Sequence, residues 1–133
     1  MRRKSRELAL QILFQTEFTP EVTMRDMVSV FEKKIDSQIM DYTMFLVNGV
    51  QQHKEKIDAR IQEASRHWKI DRMASVDRNI LRSAVFEMLH AKEMMEPKIV
   101  INEAIEIAKV FGTQDSGSFV NGILDQIVRN DRV

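Results

Sequence analysis

The sequence predicts an all-α fold, and three observations carry that expectation. Four glycines and two prolines in 133 residues leave little turn chemistry for a many-stranded β fold. Apolar residues recur at helical spacing rather than in alternation, the pattern of amphipathic helices. Nine methionines supply adaptable side chains that suit helical packing more than a partner surface. The length fits one domain spanning residues 1–133, long enough to bury roughly two-thirds of its unfolded surface.

The first helix is expected from about Arg3 to Thr16, with Leu8, Ala9, Ile12 and Leu13 inward and Glu7, Gln11 and Gln15 opposite. Leu10 and Phe14 widen its apolar arc, so this helix needs two sets of neighbours, both internal or one of them a partner. Phe18-Thr19-Pro20 then breaks the pattern, because proline cannot continue a helix and biases its predecessor to extended geometry. A short second helix is expected over about Met24 to Lys33, with Met27, Val30 and Phe31 inward.

A long third helix follows from about Ser37 to Ser65, its stripe supplied by Ile39, Phe45, Leu46, Val50, Ile57 and Ile61, with Gly49 suited to a close helix contact. Trp68-Lys69-Ile70 and Met73 read as a tight apolar connection with a single helical turn from Asp71. Ser75 suits an N-cap and Asp77 the first turn of the next helix, which buries Ile80, Leu81, Ala84, Val85, Met88 and Leu89 and ends near Ala91. Arg82 and Glu87 are charged groups on that apolar helix and are expected in structural ion pairs.

The sixth helix starts near Pro97, where proline is tolerated in a first turn, with Ile101, Ala104, Ile105 and Ala108 inward. Its outer face carries Asn102, Glu103, Glu106 and Lys109, and Gly112 is placed to cap its end in the left-handed conformation. Asp115 or Ser116 then caps the last helix, whose inward residues include Val120, Ile123, Leu124 and Ile127.

The absence of cysteine excludes disulfides, thiolate metal sites and a cysteine nucleophile. The start MRRKSRELAL is basic but is interrupted at once by Glu7, unlike a signal peptide, and no stretch reaches membrane-spanning length. A soluble, cytoplasmic protein is expected. The formal net charge of zero argues against non-specific coating of nucleic acid. Yet Arg2, Arg3, Lys4 and Arg6 place four cations within six residues, and such a patch either contacts a few phosphates or is a solvated terminus.

His53, His67 and His90 show no metal-ligand spacing, and no phosphate-loop, dinucleotide or hydrolase motif occurs. Glu103 and Glu106 resemble half of a di-iron helix motif, but Lys109 stands where a histidine is required, so a solvated face is expected. No cofactor is expected. The segment Gly112-Thr113-Gln114-Asp115-Ser116-Gly117-Ser118 is small and polar and opens a helix, whose free amides suit phosphate oxygens. Phe119, one turn into that helix, either packs in the core or stacks on an unpaired base.

Several segments together resemble the NusB family of bacterial antitermination proteins. They are Arg6 to Gln11, Val76 to Arg82 with Phe86-Glu87, Ile101 to Ala104 through Lys109, Phe111-Gly112, and Phe119 to Asp125, with Trp68 between. The resemblance implies a seven-helix, NusB-like fold of two packed three-helix sub-bundles. It also implies a non-enzymatic factor that binds single-stranded box A RNA of ribosomal operon leaders. The factor pairs with NusE, a small-subunit ribosomal protein, within the complex that makes RNA polymerase resistant to termination. A homodimer whose interface overlaps the RNA patch is compatible with the family.

Carried over residue by residue, the resemblance assigns Arg2, Arg3, Lys4, Asp115 and Phe119 to RNA, and Phe14 and Asp77 to NusE. Family members often carry tyrosine and glutamate at the latter two positions. Phe14 therefore offers only an apolar contact, and Asp77 keeps the charge on a shorter arm. The basic arm is also shorter than in some relatives. Two rival functions remain: a protein-binding helical adaptor, and a relative of the RNA-binding domain of rRNA cytosine methyltransferases. The second needs a cofactor domain and catalytic cysteines that these residues do not contain.

Overall fold

The computed structural model describes residues 2–19, 26, 29, 34–91 and 95–131. Among them six α-helices and one 3-10 turn follow in order: α1 (Arg3–Phe18), α2 (Ser37–Gln52), α3 (Lys54–Ala64), the turn Ile70–Arg72, α4 (Ser75–His90), α5 (Pro97–Phe111) and α6 (Ser116–Asn130). The helix expected over Met24 to Lys33 lies outside the described residues, apart from Asp26 and Ser29. No described helix is long and apolar enough to cross a membrane.

The fold is organised around α4, which packs against each of the other five helices. Every residue from Asn79 to Met88 is buried. A helix enclosed on all sides must give its polar groups partners inside, since an unpaired buried polar group costs on the order of 1–3 kcal/mol. Arg82 meets this demand through Asp58 and Glu17, and Glu87 through Arg6, the ion pairs expected from the sequence.

The wide apolar arc of α1 finds both sets of neighbours inside the protein. Leu8, Ala9, Leu10, Ile12 and Leu13 are all buried, and the helix packs on α2 and α4. In the other group α5 and α6 pack on each other, and α6 also meets α3. The two groups share α4 and one continuous core.

The third predicted helix is not one rod. It breaks at His53, where φ is −113° and ψ is 18°, separating α2 from α3. The reason is tertiary: α2 follows α1 while α3 follows α6, and a straight helix cannot track both. Gly49 gives the close contact expected of it, for a Cβ there would overlap the ring of Phe86 on α4. Phe45, expected inward, is 40% exposed. The inward face of α2 runs instead through Met40, Thr43, Leu46, Val47 and Val50.

Other local expectations shift for equally specific reasons. On α5 the buried residues are Val100, Ala104, Ile107 and Ala108, while Ile101 and Ile105 are half-buried. Ile99, Val100 and Ile101 are all apolar, so the sequence sets the period of this helix but not its phase. Ser75 does not cap α4; its hydroxyl donates to Glu17 Oε1 at 3.0 Å, and Ala74 occupies the N-cap. Asp77 does stand in the first turn. Gly112 is extended, at φ −97° and ψ −162°, rather than left-handed. Glycine suits the position because a Cβ would overlap the Ser116 side chain.

Candidate nucleic-acid interface

The basic start of the chain is held by specific contacts. The guanidinium of Arg2 lies over the Tyr42 ring, 3.7 Å from its centroid. Arg3 donates to Glu103 through Nε at 3.2 Å and Nη2 at 2.6 Å. Glu103 also accepts from Arg6 Nη1 at 3.2 Å, so it is not merely on a solvated face as expected. The Arg3 hydrogen bond holds the Glu103 carboxyl below the usual carboxylate value, against a smaller opposing effect of burial. Lys4 is exposed. Of the three cations assigned to RNA, Arg3 is thus already opposite a carboxylate. A phosphate must share Arg3 with Glu103 or displace it.

The far end of α1 is tied to the start of α4. Glu17 accepts from Arg78, Ser75, Asn79 and Arg82. Burial alone raises its pKa, but the hydrogen bonds from Arg78, Asn79 and Ser75 prevail and hold it below the ordinary value. Phe14 and Phe18 lie here too, their ring centroids 4.7 Å apart. Phe14 is half-buried and Phe18 is exposed.

Trp68 is anchored by its backbone rather than its ring. Its carbonyl accepts from Gln62 Nε2 at 3.0 Å and Ser65 Oγ at 2.9 Å, while the side chain leaves the residue 60% exposed. The connection is tight as the sequence suggested, but it is not the apolar one expected. The loop before α6 is closed by Ser116, whose Oγ accepts from the Thr113 amide at 2.9 Å. Asp115 occupies the N-cap position without a side-chain cap bond, leaving its exposed carboxylate outward.

Phe119 performs part of each role open to it. It is half-buried against the core and also lines a groove of about 200 Å³ with Trp68, Arg72, Asp77 and Asp115. Asp77 contributes a buried Oδ1 with no hydrogen-bond partner among the described residues. A carboxylate oxygen so placed takes its hydrogen bond from an ordered water or a partner's donor. With two carboxylates against Arg72, the groove repels a phosphate but admits a base or a cationic side chain.

The structure therefore brings Asp77, Asp115 and Phe119 into one groove, with Phe14 at the same end of α1 and α4. It does not join them to Arg2, Arg3 and Lys4. The basic start sits where Arg6 meets Glu87, whereas the groove lies beyond the Glu17–Arg78 pair. Arg78 and Glu87 are nine residues apart on α4, or about 14 Å along a helix. Trp68, Phe18 and Glu103 were not singled out from sequence for these places. Trp68 did carry a signal: a large ring between His67 and Lys69 in a polar connector.

No three His, Cys, Asp or Glu side chains among the described residues gather in a metal-binding arrangement. What the surface offers instead is an exposed cationic terminus and an aromatic, acid-edged groove on an all-helical scaffold. That combination defines a helical binding module. The chain belongs to the NusB family, whose profile matches residues 3–129.

It is 55% identical over 126 residues to a transcription antitermination protein NusB of Bdellovibrio bacteriovorus, covering 95% of this chain and 93% of that protein. A NusB of Anaeromyxobacter dehalogenans is 45% identical over 129 residues, covering 95% and 89%. Among solved structures, T. maritima NusB superposes with a TM-score of 0.85 at 35% identity, covering 97% of this chain and 91% of that one. A crystal structure of antitermination factors NusB and NusE in complex with dsRNA matches with a TM-score of 0.83 at 29% identity, covering 97% and 96%.

Proposed function

We propose that this chain is a cytoplasmic transcription antitermination factor that binds single-stranded box A RNA of ribosomal operon leaders and pairs with NusE. Residues 1–133 act as one RNA-binding domain, without catalysis, within the complex that makes RNA polymerase resistant to termination. The family of its relatives supports this reading, and a structural neighbour solved with NusE and dsRNA supports binding of NusE and of RNA. The observation that carries it is the groove in which Phe119 and Trp68 stand beside Asp77 and Asp115.

Each residue has a distinct task. Arg2, Arg3 and Lys4 neutralise phosphates, a contribution that weakens as salt rises. Phe119 stacks on a base, and Asp115 accepts from base or sugar donors. Phe14, with its hydroxyl-free ring, gives NusE an apolar contact. Asp77 gives it a charge, and its orphaned oxygen suits a donor from that partner. The separation of the two ends along α4 supports a path in which RNA runs across the protein rather than resting on one patch.

The test is box A RNA binding with and without NusE at two salt concentrations. Replacing Arg2 and Arg3 with alanine should weaken binding and reduce the salt slope by about one to two. Box A RNA bound no more tightly than a scrambled strand, with NusE present or absent, would overturn the function.

A further inference from the structure

A row of aromatic side chains leads away from the basic start of the chain across α2 and α4. Arg2 lies over Tyr42. Tyr42 is followed by Phe45 at 5.4 Å between ring centroids, Phe45 by Phe86 at 5.1 Å, Phe86 by His90 at 4.8 Å and His90 by His53 at 4.5 Å. Tyr42 and Phe86 are buried and form the inner rungs. Phe45 is 40% exposed, His90 is exposed and His53 is half-buried, so these three rings meet solvent.

Core packing does not account for the outer rungs. The inward face of α2 is already supplied by Leu46, Val47 and Val50. Phe45 is also the one large hydrophobic residue that α2, α3 and α4 expose among the described residues. The strip therefore brings aromatic rings to the surface without the aliphatic knobs that a docked helix would need. His53 and His90 stack with only 25° between their planes. Burial, then His53 and Lys56, lowers the pKa of His90, keeping it an uncharged ring at neutral pH.

The surrounding charge favours an anion. Arg2 stands at one end and Lys56 close to His90 at the other, while Asp41, one turn before Phe45, is an exposed acid. Rings in sequence with cations at both ends are the recurring solution for unpaired nucleic-acid strands.

We propose that Phe45, His53 and His90 form a base-stacking track that continues the RNA surface from Arg2, away from the Phe119 groove. The track takes unpaired nucleotides adjoining the box A segment. It rests on the reading that the basic start of the chain holds RNA. It adds a second aromatic platform, on a face distinct from the groove.

The experiment compares a labelled box A RNA with the same RNA extended by about six unpaired nucleotides at its 5′ or 3′ end. The wild-type protein should bind one extended RNA about fivefold or more tightly than the short one, the effect expected from one stacked base. Phe45→Ala, and separately His53→Ala with His90→Ala, should abolish that gain, and Phe45→Trp should restore it. Far-UV circular dichroism checks that each variant is folded. The track is overturned if neither extension tightens binding, if Phe45→Ala retains the full gain, or if Phe45→Ala instead weakens NusE binding or self-association. Failure of the wild-type protein to bind the short RNA at all overturns the basic-end reading as well, so the two failures are distinct.

Discussion

Arg6 and Glu87 meet side-on between α1 and α4, with Nε to Oε1 at 2.9 Å and Nη2 to Oε2 at 2.7 Å. The residues are 7% and 1% exposed, and the Tyr42 hydroxyl donates to the same carboxylate. The pair brings the cationic start of the chain to the central helix. Arg6 and Glu87 are separated by 81 positions in sequence, so no local rule could pair them.

Arg6→Ala should therefore be among the most damaging single changes. It strands a buried carboxylate with Tyr42 as its remaining donor, which predicts a loss of about 3–5 kcal/mol. Glu87→Ala should cost less, because Arg6 retains Glu103. Urea unfolding of both variants ranks them; an Arg6→Ala loss below about 1 kcal/mol would show that the pair is not what holds α1 to α4.

Gly49→Ala tests the close crossing of α2 and α4. Alanine favours a helix by up to about 1 kcal/mol over glycine, but its methyl would occupy the space of the Phe86 ring. A net loss of about 1–3 kcal/mol is expected from overpacking. Adding Phe86→Leu should recover much of it. Thermal melts showing Gly49→Ala as stabilising would contradict the contact.

Acid should loosen the two ends of α1 together. Glu17 and Glu103 both lie below the ordinary carboxylate value of 4.5 in the folded protein. Their stabilising contribution is then complete above the unfolded value and is lost as pH falls through the folded one. Stability measured from neutral pH downward should hold until near 4.5 and then decline, and Glu17→Gln should flatten that decline. An unchanged acid limb in Glu17→Gln would remove Glu17 from the account.

The aromatic groove separates stability from binding. Trp68→Ala should leave stability within about 0.5 kcal/mol, since the ring is largely exposed, and Phe119→Ala should cost more because Phe119 packs on the core. Both should weaken box A binding, Phe119→Ala by about five- to a hundredfold. If Phe119→Ala weakens RNA binding only in proportion to unfolding, Phe119 is a packing residue alone.

Asp77→Lys probes the partner surface. Reversing the charge in the first turn of α4 should cost the isolated helix end about 0.3–1 kcal/mol, leaving the fold intact. NusE binding should fall sharply. Normal affinity for NusE would take Asp77 out of that surface.

The helices were largely legible because each is encoded by local spacing. Val120, Ile123, Leu124 and Ile127 are buried as their period required, and Pro97 opens α5 in a tolerated position. The sequence misleads where its local signals are degenerate. Three consecutive apolar residues at Ile99 to Ile101 left the phase of α5 open. Nothing local marked His53 as a break, because the demand comes from two different neighbours, α1 and α6.

The candidate site divides in the same way. Its residue types were readable: cations at the start, a small polar loop, and an aromatic one turn into the last helix. Their grouping was not. Sequence alone determined a helical protein with the markers of the NusB family, since helical period and short motifs are properties of neighbouring residues. Tertiary structure decided that Glu103 shields Arg3, that Trp68 and Asp77 join Phe119, and that the basic start stands apart from them along α4. Those contacts join residues far apart in the chain, and only the packing of the other five described helices around α4 brings them together.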